Sequence, residues 1–175
     1  IADFSQYLTT SMTISGWVQP ASSSPTSHNG FFGVRNPAAS DHYFYVLQLL
    51  GTADLEMRFR NSAGGAWAAD ASSAVAGGTW VHAALTYDGD TRITYVDGQF
   101  VNQDTSATGS FNLADLPFRI GSDGRTSNLL DGIVDEVRVS STARGAQWIE
   151  TGFNNQLTPS AFYAIGAEET NNPLN

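Results

Sequence analysis

Hydrophobic and polar positions alternate along most of this chain. In residues 11–18 (SMTISGWV), Met12, Ile14, Gly16 and Val18 fall on one side of an extended backbone and Thr13, Ser15 and Trp17 on the other. Such a period of two marks a strand with one buried face. The cleanest alternation is in residues 54–61 (DLEMRFRN), where Leu55, Met57 and Phe59 are predicted inward and Glu56, Arg58 and Arg60 outward. Further strands are predicted over residues 31–35, 42–50, 80–87, 92–96, 99–102, 118–121 and 132–140. Asp88-Gly89 and Asp97-Gly98 stand between β-prone runs, which is hairpin turn chemistry. Residues 20–30, 36–41 and 61–78 are predicted as loops and turns. Closely spaced turns with no helical pattern between them predict an all-β fold, a two-sheet antiparallel sandwich. One short C-terminal helix is predicted over residues 143–151, capped by Thr142, with Trp148 and Ile149 facing the body and Gly152 ending it. Residues 1–167 are expected to form one domain, and the patternless residues 168–175 a frayed tail.

Composition narrows the function. Seventeen acidic residues against eight basic ones give a net charge of −9, the opposite of a nucleic-acid footprint. Every basic residue is Arg, and neither Lys nor Cys is present. Schiff-base chemistry, thiol nucleophiles, thiolate zinc sites and disulfides are therefore excluded. Asp outnumbers Glu twelve to five, a balance that suits turns and cation ligands. Ser, Thr, Gly, Ala and Asn fill positions that Lys and Glu usually take, an extracellular bacterial style. No signal peptide and no membrane-inserting span is visible. The chain begins at Ile1, as expected of a fragment cut from a longer secreted precursor with neighbouring domains.

Several phrases together resemble the laminin-G-like jelly-roll domains of the concanavalin-A-like lectin and glucanase superfamily, as found in bacterial extracellular proteins. They are the opening strand over residues 12–18, the Trp80-to-Gly89 and Thr94-to-Gly98 hairpin phrases, Ile120-Gly121, and Gly132 to Arg138 with Asp135-Glu136 inside it. The resemblance implies a jelly roll and leaves the ligand open. It also implies a calcium ion, structural or ligand-bridging, for which Asp3 and Asp135 are the first candidates and the Ser122-Asp123-Gly124-Arg125 loop the next. For Asp135 a hydrogen bond that keeps the fold is the competing role, and Asp97 is accounted for as a turn former.

Glycosidases of this fold cut with two carboxylates on one strand face. Asp135 and Glu136 are adjacent, so regular alternation would send them to opposite faces. Glu56 precedes Arg58 by two on one face, which suits a charge pair. His82 belongs to the fold signature and reads as structural rather than as a base. No Gly-x-Ser-x-Gly elbow is present. The expectation is a non-catalytic module that binds a polysaccharide or glycan. A spacer or protein-interaction domain is the alternative, and a lyase or hydrolase the least favoured.

Sugar recognition uses aromatic platforms and forked polar groups. Trp17, Trp80 and Trp148 lie on strand or helix patterns and are expected in the core. Trp67, in the small-residue stretch Ala63 to Ala68, is expected in a loop, either as an exposed platform or folded over a sheet edge. Arg58, Arg60 and Tyr43 complete the candidate glycan site.

Overall fold

The computed structural model describes residues 10–35, 43–60, 66–71, 74–106, 108–109 and 116–162, and for residues 43, 60, 66–71 and 162 the backbone only. The chain ends, with the predicted tail, lie outside them. Among the described residues ten strands follow in order: β1 (Met12–Pro20), β2 (Asn29–Arg35), β3 (Tyr43–Gln48), β4 (Leu55–Arg60), β5 (Ala66–Ala71), β6 (Val81–Tyr87), β7 (Arg92–Val96), β8 (Gln99–Asp104), β9 (Arg119–Ile120) and β10 (Gly132–Ser140). Helix α1 (Ala146–Leu157) and the one-turn α2 (Pro159–Phe162) come last. Among the described residues the strands form two five-stranded sheets, ordered β10-β1-β6-β7-β8 and β5-β4-β3-β2-β9. The pairings within both are antiparallel.

Alternation decides what each sheet buries. Met12, Ile14 and Val18 of β1 meet Phe32, Val34, Phe44, Val46, Leu55, Met57 and Phe59 of the second sheet in one core. Leu55, Met57 and Phe59 are fully buried, as the alternation predicts. Each such side chain contributes about 1.5–3 kcal/mol on leaving water. Asp97 and Gly98 both take positive φ, 48° and 76°, which makes the tight turn between β7 and β8. The Asp97 carboxylate also accepts the His82 backbone N–H at 2.8 Å.

Two expectations fail here. β5 crosses the predicted loop over residues 61–78, because its Ala-rich sequence has little β propensity of its own and is a strand by pairing with β4. The helix begins at Ala146 rather than Ala143 and runs through Gly152 to Leu157. Thr142 is no cap. Its carbonyl accepts the Thr13 hydroxyl at 2.7 Å, while the Arg144 N–H donates to that hydroxyl oxygen at 2.8 Å. Residues 142–144 are thereby tied to β1, and α1 starts after Gly145 with no side-chain cap.

Ile149 of α1 packs on Ala84 and Tyr95, on the outward face of the first sheet. That sheet is therefore covered on both sides, which is why every residue of β6 is buried.

Candidate functional site

The outward face of the second sheet gathers three of the four residues expected to bind glycan. Tyr43 stands opposite Arg60, and Tyr45 opposite Arg58. Directly opposed residues share a face, so Tyr43, Arg58 and Arg60 occupy one surface. Arg35, paired with Tyr43, joins them. The Arg35 and Arg58 guanidinium carbons lie 5.2 Å and 6.0 Å from the centre of the Tyr45 ring, within cation–π range. Arg58 also donates to Glu56 at 2.9 Å, the charge pair that their spacing implies. Tyr45 and Leu47 are buried on this face. Tyr45 is thus a plate beneath the guanidiniums rather than an exposed platform. Trp67 departs from expectation, because it lies on β5 opposite Phe59 and not in a loop. That register position is on the face of Phe59, not of Arg58 and Arg60.

A second feature lies on the first sheet. A cleft of about 500 Å³ is lined by Trp17, Trp80, Asp135, Glu136, Arg138 and four residues around the end of α1, Asn155, Gln156, Leu157 and Pro159. Its geometry comes from a β-bulge. Ser15 pairs with Arg138 and Trp17 with Asp135, so that Gly16 alone faces both Glu136 and Val137. Glu136 takes φ +50°, unusual for a side-chain-bearing residue. The extra residue cancels the alternation. Contrary to the adjacency argument, Asp135 and Glu136 line the same cleft. Asp135 and Glu136 are the two acids among the residues that line it. Glu136 is ion-paired with Arg138, and the Asp135 carboxylate accepts the Glu136 N–H at 2.7 Å.

The tryptophans separate by surroundings. Trp17 is buried, but under α1 rather than between the sheets. Its Nε1 donates to Gln156 at 2.6 Å, and its ring stacks on Phe153 at 5.5 Å. Trp80 precedes β6 and is 39% exposed; Trp148 is 41% exposed, beneath the Arg144 guanidinium at 4.9 Å. Neither is a core residue, contrary to expectation. Alternation tells which side of an element a ring takes but not what covers that side. The one sequence signal for the cleft is Gly16, an isolated glycine inside a strand, which often marks a bulge.

His82, on β6, is buried against Trp17 and Phe153. Burial, helped by the nearby Arg138 charge, lowers its pKa from 6.5 to about 4. It is neutral at neutral pH.

A cluster of acids and histidines that could hold calcium is not gathered among the described residues. Among them no three of His, Asp or Glu stand together, whereas calcium takes six to eight oxygens. The acid next to Asp135 in the cleft is Glu136, and Asp3 lies outside the described residues. The Asp123 carboxylate is fully buried and already engaged by Asn128 at 2.9 Å, Arg125 Nε at 3.1 Å and Arg35 at 3.7 Å. It pins its loop instead of opening toward a cation.

Two antiparallel sheets packed face to face, one backed by its own helix, define a jelly-roll sandwich of lectin-like architecture. The chain belongs to the concanavalin A-like lectin/glucanases superfamily, whose laminin G type model matches residues 1–150. Among solved structures it is similar to the CBM40 of the Ruminococcus gnavus IT-sialidase bound to α2,3 sialyllactose. That match has a TM-score of 0.68 and 16% identity, over 87% of this chain and 90% of that one. It is similar also to domain 4 of AbnA, a GH43 extracellular arabinanase from Geobacillus stearothermophilus, in complex with arabinotriose. There the TM-score is 0.62 with 20% identity, over 82% of this chain and 66% of that one, so this chain spans just under two thirds of that structure. A native heptameric SAP-like pentraxin from Limulus polyphemus matches at TM-score 0.63 and 13% identity, over 82% of this chain and 69% of that one. At these identities the likeness concerns the fold. No curated protein matches the chain. Among the described residues no helix is long and apolar enough to cross a membrane.

Proposed function

We propose that this domain is a non-catalytic carbohydrate-binding module of a larger secreted protein. The observation that carries the reading is the outward face of the second sheet, where the register sets Tyr43 and Arg60 beside Tyr45 and Arg58. A guanidinium laid on a ring keeps its N–H fork in a fixed plane, suited to paired hydroxyls or a carboxylate. Tyr43, rather than Trp67, is the aromatic platform in this reading, because Tyr43 shares the face of the arginines. Support comes from AbnA domain 4 and the CBM40, whose structures are complexes with arabinotriose and sialyllactose.

Arg58→Lys is the discriminating variant. It keeps a cation beside the buried Glu56 but loses the planar fork. Calorimetric titration with sialyllactose and with an oligogalacturonate should show at least one of them bound by the parent. The variant should bind that sugar roughly tenfold more weakly, with its melting temperature nearly unchanged. Failure of the parent to bind either sugar, or equal affinity in the variant, overturns the assignment to this face and favours a spacer or protein-interaction role.

A further inference from the structure

We propose that the cleft between β10 and α1 is a second saccharide site, specific for uncharged sugars and independent of the face just described. Its size falls in the range of small-ligand pockets. Trp80 is a large ring left 39% exposed beside it, although an indole gains about as much from burial as any side chain. The floor is already fixed, with Trp17 held at its nitrogen by Gln156 and stacked on Phe153. A ligand entering here therefore pays little to order the floor.

The wall chemistry selects the ligand class. An open aromatic face suits the CH groups of a sugar ring. Around it stand the Asp135 carboxylate, the Arg138 guanidinium and the Asn155 amide, which together accept from and donate to hydroxyls. The β10 bulge is what brings both acids to this wall, and it holds Glu136 at φ +50° to do so. Bulges re-aim side chains in this way at binding sites. Two carboxylates face one guanidinium that Glu136 already pairs, in a chain of net charge −9. An acidic sugar would meet net repulsion. Among the described residues no third acid or histidine stands with the two.

The cleft opens on the first sheet and the arginine face on the second, with the core between them. One sugar ring cannot touch both, so each site survives the failure of the other. The test uses the whole domain and four neutral probes: arabinotriose, xylotriose, cellotriose and lactose, with sialyllactose as the acidic control. Indole N–H resonances and tryptophan fluorescence are followed at millimolar sugar. At least one neutral probe should perturb the Trp80 signal, and sialyllactose should do so more weakly than lactose. Trp80→Ala should raise the Kd for that probe about tenfold or more, while Arg58→Lys leaves it unchanged. Asn155→Ala, on the exposed face of α1, should weaken binding severalfold with the helix intact, and serves if Trp80→Ala fails to fold. The proposal is overturned if no neutral probe moves the Trp80 signal, if Trp80→Ala and Asn155→Ala bind like the parent, or if sialyllactose binds here as tightly as lactose.

Discussion

Trp17 is gripped at both ends, its nitrogen by Gln156 and its ring by Phe153 and His82. Removing it opens a void beneath α1 and strands the Gln156 amide. Trp17→Ala should cost on the order of 3–5 kcal/mol in urea unfolding. Trp148 is 41% exposed, with the Arg144 guanidinium over its ring, so Trp148→Ala should cost less, about 1–2 kcal/mol. Equal costs would mean that α1 does not pack as described. The two residues look alike in sequence, each a Trp in a periodic segment. What separates them is long-range, because residues 153 and 156 return to cover residue 17.

Among elements, the strands with strong alternation were legible, and β4 is the clearest case: its inward and outward sets stand where the pattern puts them. Its neighbour β5 was not, since Ala-Trp-Ala-Ala-Asp-Ala carries no β signal and owes its form to the strand beside it. Three of the candidate residues, Tyr43, Arg58 and Arg60, do share a face. The cleft escaped because it needs a local exception to alternation. Close approach of backbones is legible only as a glycine. A Cβ on Gly30 would lie 2.3 Å from the Asp123 nitrogen and 2.4 Å from the Asn128 oxygen. Both are backbone atoms that cannot swing aside, so the loop must shift bodily. Gly30→Ala should therefore destabilise by about 1–3 kcal/mol. A melting temperature equal to the parent's would show that the loop over residues 122–128 is not docked on β2.

For the whole molecule, His82 couples stability to pH. The unfolded chain protonates this imidazole near 6.5, the folded one only near 4. As pH falls between those values the unfolded state binds the proton first, and stability declines. The decline amounts to on the order of 3 kcal/mol by pH 4, with no contribution above pH 7. In urea titrations from pH 7 to pH 4, His82→Gln should lose much of that slope. An identical slope in the variant would place the titration on other groups.

The first strand among the described residues, β1, finds one of its two neighbours in the last, β10, and Asn29 exchanges two hydrogen bonds with Asp131 across 102 residues. On a ribosome this order of pairing sets a timetable. Most of the core-bearing strands emerge before the strand that closes the first sheet exists, and contacts this distant in sequence form slowly. Nascent chains ending before Asp131 should stay protease-sensitive, and those extending past Ser140 should become resistant. Arrest-stalled chains of graded length, digested briefly, would locate the point at which the domain first becomes able to fold.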